Sequence, residues 1–81
     1  MSYASADIGV DLANARRAAG LSQEALADLA AVRQATVSKA EHGGDIQVST
    51  LLQLAAALDL VPVFVTRKHA HTVREVIKSL P

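Results

Sequence analysis

Cysteine and tryptophan are absent from the 81 residues of this chain, which has only one tyrosine and one phenylalanine. Without cysteine, neither disulfides nor thiolate metal sites can form, and this fits a reducing cytoplasm. With so few aromatic side chains, the core has to be aliphatic, and 51% of the chain is hydrophobic, mainly Ala, Leu and Val. The composition indicates one small helical bundle.

Long hydrophobic runs are also lacking. The longest apolar runs of the sequence are too short to span a bilayer. Residues 1–6 have neither the basic start nor the apolar run of a signal peptide. We therefore expect a cytoplasmic protein with no membrane partner.

An excess of positive charge is missing, because eight basic residues balance eight acidic ones. Nucleic-acid-binding proteins are usually basic, since contacts with phosphates supply most of their non-specific affinity. If this chain binds DNA, its acidic residues have to lie away from the DNA and two copies have to share the contacts. Weak non-specific binding is then expected.

Signals of catalysis are absent as well. The sequence has no glycine-rich phosphate loop and no nucleophile motif, and its histidines are His42, His69 and His71. His69 and His71 have no acidic residue or cysteine beside them, so solvated histidines are expected rather than a metal site. We expect no enzyme, no metal and no cofactor.

Residues 21–43 are the most informative stretch, and they are typical of two short helices joined by a tight turn. Ser22 is a good N-cap for the first helix. In the second helix, Val37 and Ala40 lie three residues apart and share one apolar face. The other side of that helix carries groups that suit the edges of DNA bases: Gln34, Ala35, Ser38 and Lys39.

This stretch resembles the helix-turn-helix of the phage-repressor-like, or XRE-like, DNA-binding domains. Seven residues stand where that family has them: Gln23, Leu26, Ala27, Thr36, Val37, Glu41 and Gly43. Two residues depart from the family pattern. The turn, usually glycine, is Ala31, and the usual Ser or Thr cap of the second helix is Arg33; each departure should cost about 1 kcal/mol.

A DNA interface follows from this reading. Gln34 can contact adenine, Lys39 can reach guanine, and Ala35 can touch a thymine methyl group. The amide of Gln23 can hold a phosphate and steady Gln34. Contacts with the DNA backbone are expected from Arg33, Thr36 and Ser49, with Ser38 on the groove-facing side. The alternative is a helical core whose polar face is only solvated.

The resemblance also implies one structural ion pair. In related domains an arginine at the position of Arg16 pairs with a glutamate at the position of Glu41, and we expect the same clamp here. The alternative is two solvated surface charges, because exposed pairs are worth only about 0–1 kcal/mol.

The helix-turn-helix is expected to lie in a four-helix domain over residues 7–59, after a flexible arm at residues 1–6. Asp7 can cap a first helix that ends near Ala19, where Gly20 follows. Ser49 can cap a last helix over residues 50–58, whose apolar stripe closes the core.

Residues 60–66 alternate apolar side chains on two faces and predict a β-strand. No second strand candidate exists in the chain, so we expect the strand to pair with its copy in a homodimer. The dimer contacts are then Val61, Val63, Phe64 and Val65. The alternative is an extended tail buried on the chain's own helices.

Residues 67–81 form a tail in which 67–71 read as a basic hinge and 72–80 as a possible short helix. Thr72 and Glu75 have the spacing of a capping box. A helix of this length is not stable alone, so its apolar stripe has to dock on the dimer or on a partner protein.

The predicted fold class is therefore mainly α, with a four-helix repressor-like domain and one dimerising strand. This architecture is similar to the HipB-like antitoxins, which implies a homodimer that represses its own operon on palindromic operator DNA and binds a HipA-like kinase toxin. The two recognition helices would lie about 34 Å apart. The alternatives are a free-standing XRE-type regulator and a protein-interaction module without DNA binding.

Overall fold

The computed structural model of the protein describes residues 4–80, and in that range it has five α-helices. They are α1 (Ser5–Ala18), α2 (Gln23–Ala30), α3 (Gln34–Glu41), α4 (Val48–Ala57) and α5 (Arg67–Ser79). The mainly helical class predicted from composition is confirmed. None of the described helices is long and apolar enough to cross a membrane.

Helix α1 begins earlier than predicted. Its N-cap is Ala4, and Asp7 is the third residue of the helix rather than the cap. The Asp7 carboxylate still satisfies the helix start, because its Oδ2 accepts a hydrogen bond of 2.7 Å from the backbone N–H of Ala4. The predicted arm is therefore wrong at residues 5 and 6, and its residues 1–3 lie outside the described residues.

Helices α2 and α3 form the expected pair. Ser22 Oγ accepts a hydrogen bond of 3.0 Å from the backbone N–H of Ala25, which confirms Ser22 as the cap of α2. Ala31 lies in the turn between the helices with left-handed angles, φ 58° and ψ 41°. Arg33 holds the N-cap position of α3 without any side-chain capping bond. Both departures from the family pattern therefore have the predicted local geometry.

The start of α4 corrects a second prediction. Ser49 is the second residue of α4 and Gln47 is its N-cap, so the helix begins two residues earlier than expected. Ser49 Oγ lies 3.5 Å from Gln47 Oε1, which is at the limit of a hydrogen bond. No glycine or proline stands at residues 47–49, so nothing in the sequence delays the start of the helix.

The core of the described chain lies where α2 crosses between α3 and α4, with α1 packed on α3. Its fully buried cluster contains only small and medium aliphatic residues: Leu12, Leu26, Ala27, Ala30, Val37, Ala40 and Leu54. These include Val37 and Ala40, the apolar residues predicted for α3. The α1–α3 contact is close, since a Cβ on Gly9 would lie 2.5 Å from the carbonyl oxygen of Glu41.

The predicted strand is absent. Residues 60–66 have no regular secondary structure and are exposed. Within the described residues no other extended segment lies beside them, so their backbone groups have no ladder to join. The alternative of a buried tail is also wrong, because Val61, Val63 and Phe64 are among the most exposed large hydrophobic residues.

The tail contains a longer helix than predicted. Helix α5 includes the residues expected to form a basic hinge, because residues 67–71 contain no glycine or proline to interrupt a helix. Thr72 consequently lies inside α5 and is not its cap. No residue of α5 is buried.

Candidate nucleic-acid interface

Helix α3 presents one face to solvent and the opposite face to the core. Val37 and Ala40 are buried, whereas Gln34, Ala35 and Lys39 are exposed. This separation follows from the 3.6-residue period, because residues three apart share a face. Thr36 and Ser38 are half-buried at the edges of the exposed face. The four groups predicted to face a DNA groove therefore lie on the same exposed or partly exposed side of α3.

Gly44 packs against the backbone and side-chain stem of Lys39, a contact that was not predicted from the sequence. The backbone N–H of Gly44 donates a hydrogen bond of 2.8 Å to the carbonyl oxygen of Lys39. A Cβ on Gly44 would lie 2.5 Å from Lys39 Cγ. The chain after α3 therefore folds back against the lysine stem, and only glycine fits there. The Gly43-Gly44 pair is the sequence signal for this close approach.

Arg16 and Glu41 form a bidentate ion pair at the edge of the core. Arg16 Nε donates to Glu41 Oε2 at 2.6 Å, and Arg16 Nη2 donates to Glu41 Oε1 at 3.0 Å. The side chains are only 11% and 5% exposed. A third guanidinium nitrogen, Nη1, donates to the carbonyl oxygen of Leu21 at 2.8 Å. The pair joins α1, the start of α2 and the end of α3.

Gln23 belongs to the same network. Its Nε2 donates a hydrogen bond of 3.1 Å to Glu41 Oε1. One of the two amide N–H donors is therefore used by the carboxylate, and the other N–H, at the start of α2, can donate to a phosphate. The link between Gln23 and Glu41 was not predicted, because nothing in the sequence connects residues 18 positions apart.

The pKa values of the pair follow from these contacts. Burial raises the pKa of Glu41, but the hydrogen bonds from Arg16 and Gln23 and the nearby positive charges of Arg16 and Arg17 together lower it below its ordinary value. The hydrogen bond with Glu41 raises the pKa of Arg16 against the opposing effect of burial. Both groups are thus charged at neutral pH. In the described part of the chain, no buried side-chain polar atom lacks a hydrogen-bond partner.

The remaining predicted DNA contacts lie at helix starts. Arg33 is exposed immediately before α3, and Ser49 is exposed in the first turn of α4. Helix starts carry free N–H groups and a partial positive charge, which suit phosphates. Helix α4 is also tied to α2, because Gln53 Nε2 donates to the carbonyl oxygen of Ala30 at 3.4 Å. That contact was not predicted either.

The predicted dimer contacts lie together and away from the core. Val61, Val63, Phe64 and Val65 are all exposed, and Phe64 is fully so. Among residues 4–80, no three His, Asp or Glu side chains form a group that could hold a metal ion. His42 Nδ1 is 2.7 Å from the carbonyl oxygen of Ser38, at the end of α3.

Comparison with known proteins gives a family and a similar structure. A helix-turn-helix family model matches residues 12–64. The crystal structure of the restriction-modification controller protein C.AhdI from Aeromonas hydrophila is similar at a TM-score of 0.68 and 37% identity, with 72% of this chain and 89% of that chain covered. No curated protein matches the chain.

Proposed function

Since the chain belongs to the XRE-type helix-turn-helix family of DNA-binding proteins, we propose that it regulates transcription by binding a palindromic operator as a homodimer. The family match and the similar controller protein support the DNA-binding part. The observation that carries the proposal is the exposed polar face of α3, which is held in place by the buried ion pair at its far end. A rigid helix with free hydrogen-bonding groups suits major-groove readout.

The proposal assigns a role to each part of the interface. Gln34 and Lys39 contact adenine and guanine edges, and Ala35 packs on a thymine methyl group, with Ser38 beside them. The residues that position the protein on the phosphates lie at or near the helix starts: Gln23, Arg33, Thr36 and Ser49. Phosphate contacts fix the register, and base contacts provide the specificity.

A homodimer is part of the proposal for two physical reasons. One α3 reads only a few base pairs, and two copies related by a two-fold axis double the contacts on a palindrome. The zero net charge also limits non-specific affinity, so the contacts of one copy have little electrostatic support. The exposed residues Val61, Val63, Phe64 and Val65 supply the apolar surface for the dimer.

Two settings for this regulator are each favoured by one observation. The similarity to a restriction-modification controller favours a controller of that kind, acting without a protein toxin. The exposed C-terminal segment, residues 60–80, favours the HipB-like antitoxin, because it provides apolar surface for a HipA-like kinase toxin beyond what DNA binding needs. Copurification with the product of the neighbouring gene separates the two settings.

The test is a binding titration against DNA from upstream of the protein's own gene and against a scrambled control, at two salt concentrations. Tight, salt-dependent binding to the upstream DNA alone is the expected result. Gln34→Ala and Lys39→Ala should each weaken that binding by about 1–3 kcal/mol. Asn14→Ala, on the exposed side of α1, is the matched control and should leave it unchanged.

Equal or absent binding to both DNAs would contradict the proposal. If the two α3 substitutions also left every measurable activity intact, the chain would be a protein-interaction module on a helix-turn-helix scaffold.

A further inference from the structure

Helix α5 has an apolar stripe with nothing packed firmly against it. Val73, Val76 and Ile77 recur at helical spacing, Leu80 follows directly after the helix, and all four are exposed. A helix of 13 residues is marginal in water without tertiary packing. The stripe therefore needs an apolar surface to cover it.

A suitable apolar surface faces α5 across an open groove of about 1020 Å³. Ile8 and Ala15 of α1 and Leu51 of α4 lie on the wall formed by the four-helix body, and Val73 and Ile77 of α5 lie on the opposite wall. The chain leaves this groove unfilled, although both walls are mainly aliphatic. Apolar walls of this extent are stabilised when a second apolar surface displaces the water between them.

Residues 60–65 of the connecting segment line the groove as well but do not fill it. Phe64 is fully exposed, and Val61 and Val63 are nearly so. One aromatic side chain can bury about 150–250 Å². Together with the aliphatic residues of the segment and of α5, this surface reaches the order of the roughly 800 Å² per partner that a stable interface buries.

The C-terminal tail and the rest of the chain carry opposite net charges. Residues 67–81 contain four basic residues and one acidic residue, whereas residues 1–66 contain four basic and seven acidic residues. The tail is thus net positive and the body net negative. This complementarity favours contact between α5 and a body over contact between two tails.

We propose that two copies exchange their C-terminal segments, residues 60–80, reciprocally, so that α5 of each copy packs on the groove wall formed by α1 and α4 of the other copy. Each copy then supplies both an apolar wall and a segment that covers such a wall, so a two-fold dimer covers both walls and both segments at once. This arrangement specifies the contacts of the dimer in the proposed function. Its tests contain no DNA, so its failure is distinguishable from a failure of DNA binding.

The absence of cysteine allows a direct cross-linking test. Ala15→Cys is made in one copy and Ile77→Cys in a second copy that carries a mass tag, and the two are mixed and oxidised. The expected product is a covalent dimer that contains one of each. Asn14→Cys is the matched control, because Asn14 is exposed on α1 and does not line the groove. It should link to Ile77→Cys at least tenfold less.

The double variant, with both cysteines in one chain, decides between the two ways of closing the groove. Links between chains support the exchange. Links within single chains would overturn it, because α5 would then close on its own body. Linking no greater than in the control would overturn it as well and would leave the groove to a different protein.

Sedimentation provides a measurement that does not depend on cysteine chemistry. Wild-type protein should sediment as a dimer at micromolar concentration, and Val63→Asp should raise the dimer dissociation constant at least tenfold by placing an unpaired charge in the interface. Val10→Asp is the control, since Val10 is an exposed valine of α1 outside the groove. Equal effects of both substitutions, or a monomeric wild type, would overturn the proposal. Unchanged helical circular dichroism confirms that each variant is folded.

Discussion

At the scale of single residues, Glu41 connects three parts of the structure. Its carboxylate accepts hydrogen bonds from Arg16 and Gln23, and Arg16 in turn holds the carbonyl of Leu21. The network therefore fixes the end of α3 relative to α1 and α2. The orientation of α3 therefore depends on an ion pair at its C-terminal end.

Glu41→Gln should lower the free energy of unfolding by about 3 kcal/mol, because it leaves the buried guanidinium of Arg16 without its counter-charge. The measurement is chemical denaturation at neutral pH. Glu75→Gln is the control: Glu75 pairs with Lys78 at 3.7 Å on the exposed surface, and such pairs contribute about 0–1 kcal/mol. Similar losses for both substitutions would contradict the role of the buried pair.

The same pair predicts a pH dependence. The folded-state pKa of Glu41 is lower than its unfolded value of about 4.3, so its contribution to stability is fully present above that value. It is lost as the pH falls through the lower, folded-state pKa. Wild type and Glu41→Gln should therefore converge in stability on acidification. A gap that stays constant into strong acid would argue against this assignment.

Substitution of Ala31, the strained residue of the turn, should stabilise the protein rather than destabilise it. Ala31 has a φ of 58°, and an alanine in this region is disfavoured relative to glycine. Ala31→Gly should raise the free energy of unfolding by about 0.5–1 kcal/mol. Ala56→Gly, in the exposed last turn of α4, is the control and should lower it slightly, because glycine is a poorer helix former than alanine. Thermal denaturation of both variants measures the contrast.

At the scale of the elements, the contact between α1 and the end of α3 determines how α3 is presented. Gly9 allows this contact, because a Cβ there would lie within 2.8 Å of three backbone atoms of Ala40 and Glu41. The backbone cannot move away without disturbing the Arg16–Glu41 pair beside it. Helix packing and the ion pair thus depend on one another.

Gly9→Ala should destabilise the protein by about 1–3 kcal/mol through overpacking, although alanine favours a helix more than glycine does. Gly20→Ala is the informative control. Gly20 has a φ of 72° and no neighbour within 4 Å of an added Cβ, so only backbone strain of about 1 kcal/mol is expected. Equilibrium unfolding in urea distinguishes the two, and a neutral Gly9→Ala would show that the helices can separate.

At the scale of the whole molecule, one chain has a small core. Three of the seven residues in its buried cluster are alanine, and the described helix α5 adds nothing to it. A domain of this size is marginal alone. Its stability should therefore depend on association with a second copy.

We expect the midpoint of thermal unfolding to rise by about 4 °C for each tenfold increase in protein concentration. Scanning calorimetry over two decades of concentration measures this dependence. In Val63→Asp the midpoint should be lower and independent of concentration. A midpoint that does not change with concentration in the wild type would indicate a monomer that is stable by itself.

Local sequence signals alone determined the helix-turn-helix. Periodic apolar residues place Val37 and Ala40 on one face, the Ser22 hydroxyl caps the neighbouring helix, and the turn forces Ala31 into left-handed angles. Each of these features depends on residues within about one helical turn. The family resemblance gave the Arg16–Glu41 pair, whose members are 25 residues apart.

Only the tertiary structure decided the features that depend on distant parts of the chain. The tight approach at Gly9, the bond from Gln23 to Glu41 and the packing of Gly44 on Lys39 arise where separate helices meet. The strand predicted over residues 60–66 is absent because a β-strand needs a neighbouring strand to pair with. The alternation of side chains within the segment cannot provide that neighbour. Helix α5 extends through the predicted hinge because nothing in its sequence stops a helix. Its apolar stripe, by contrast, can be covered only by a surface outside that helix.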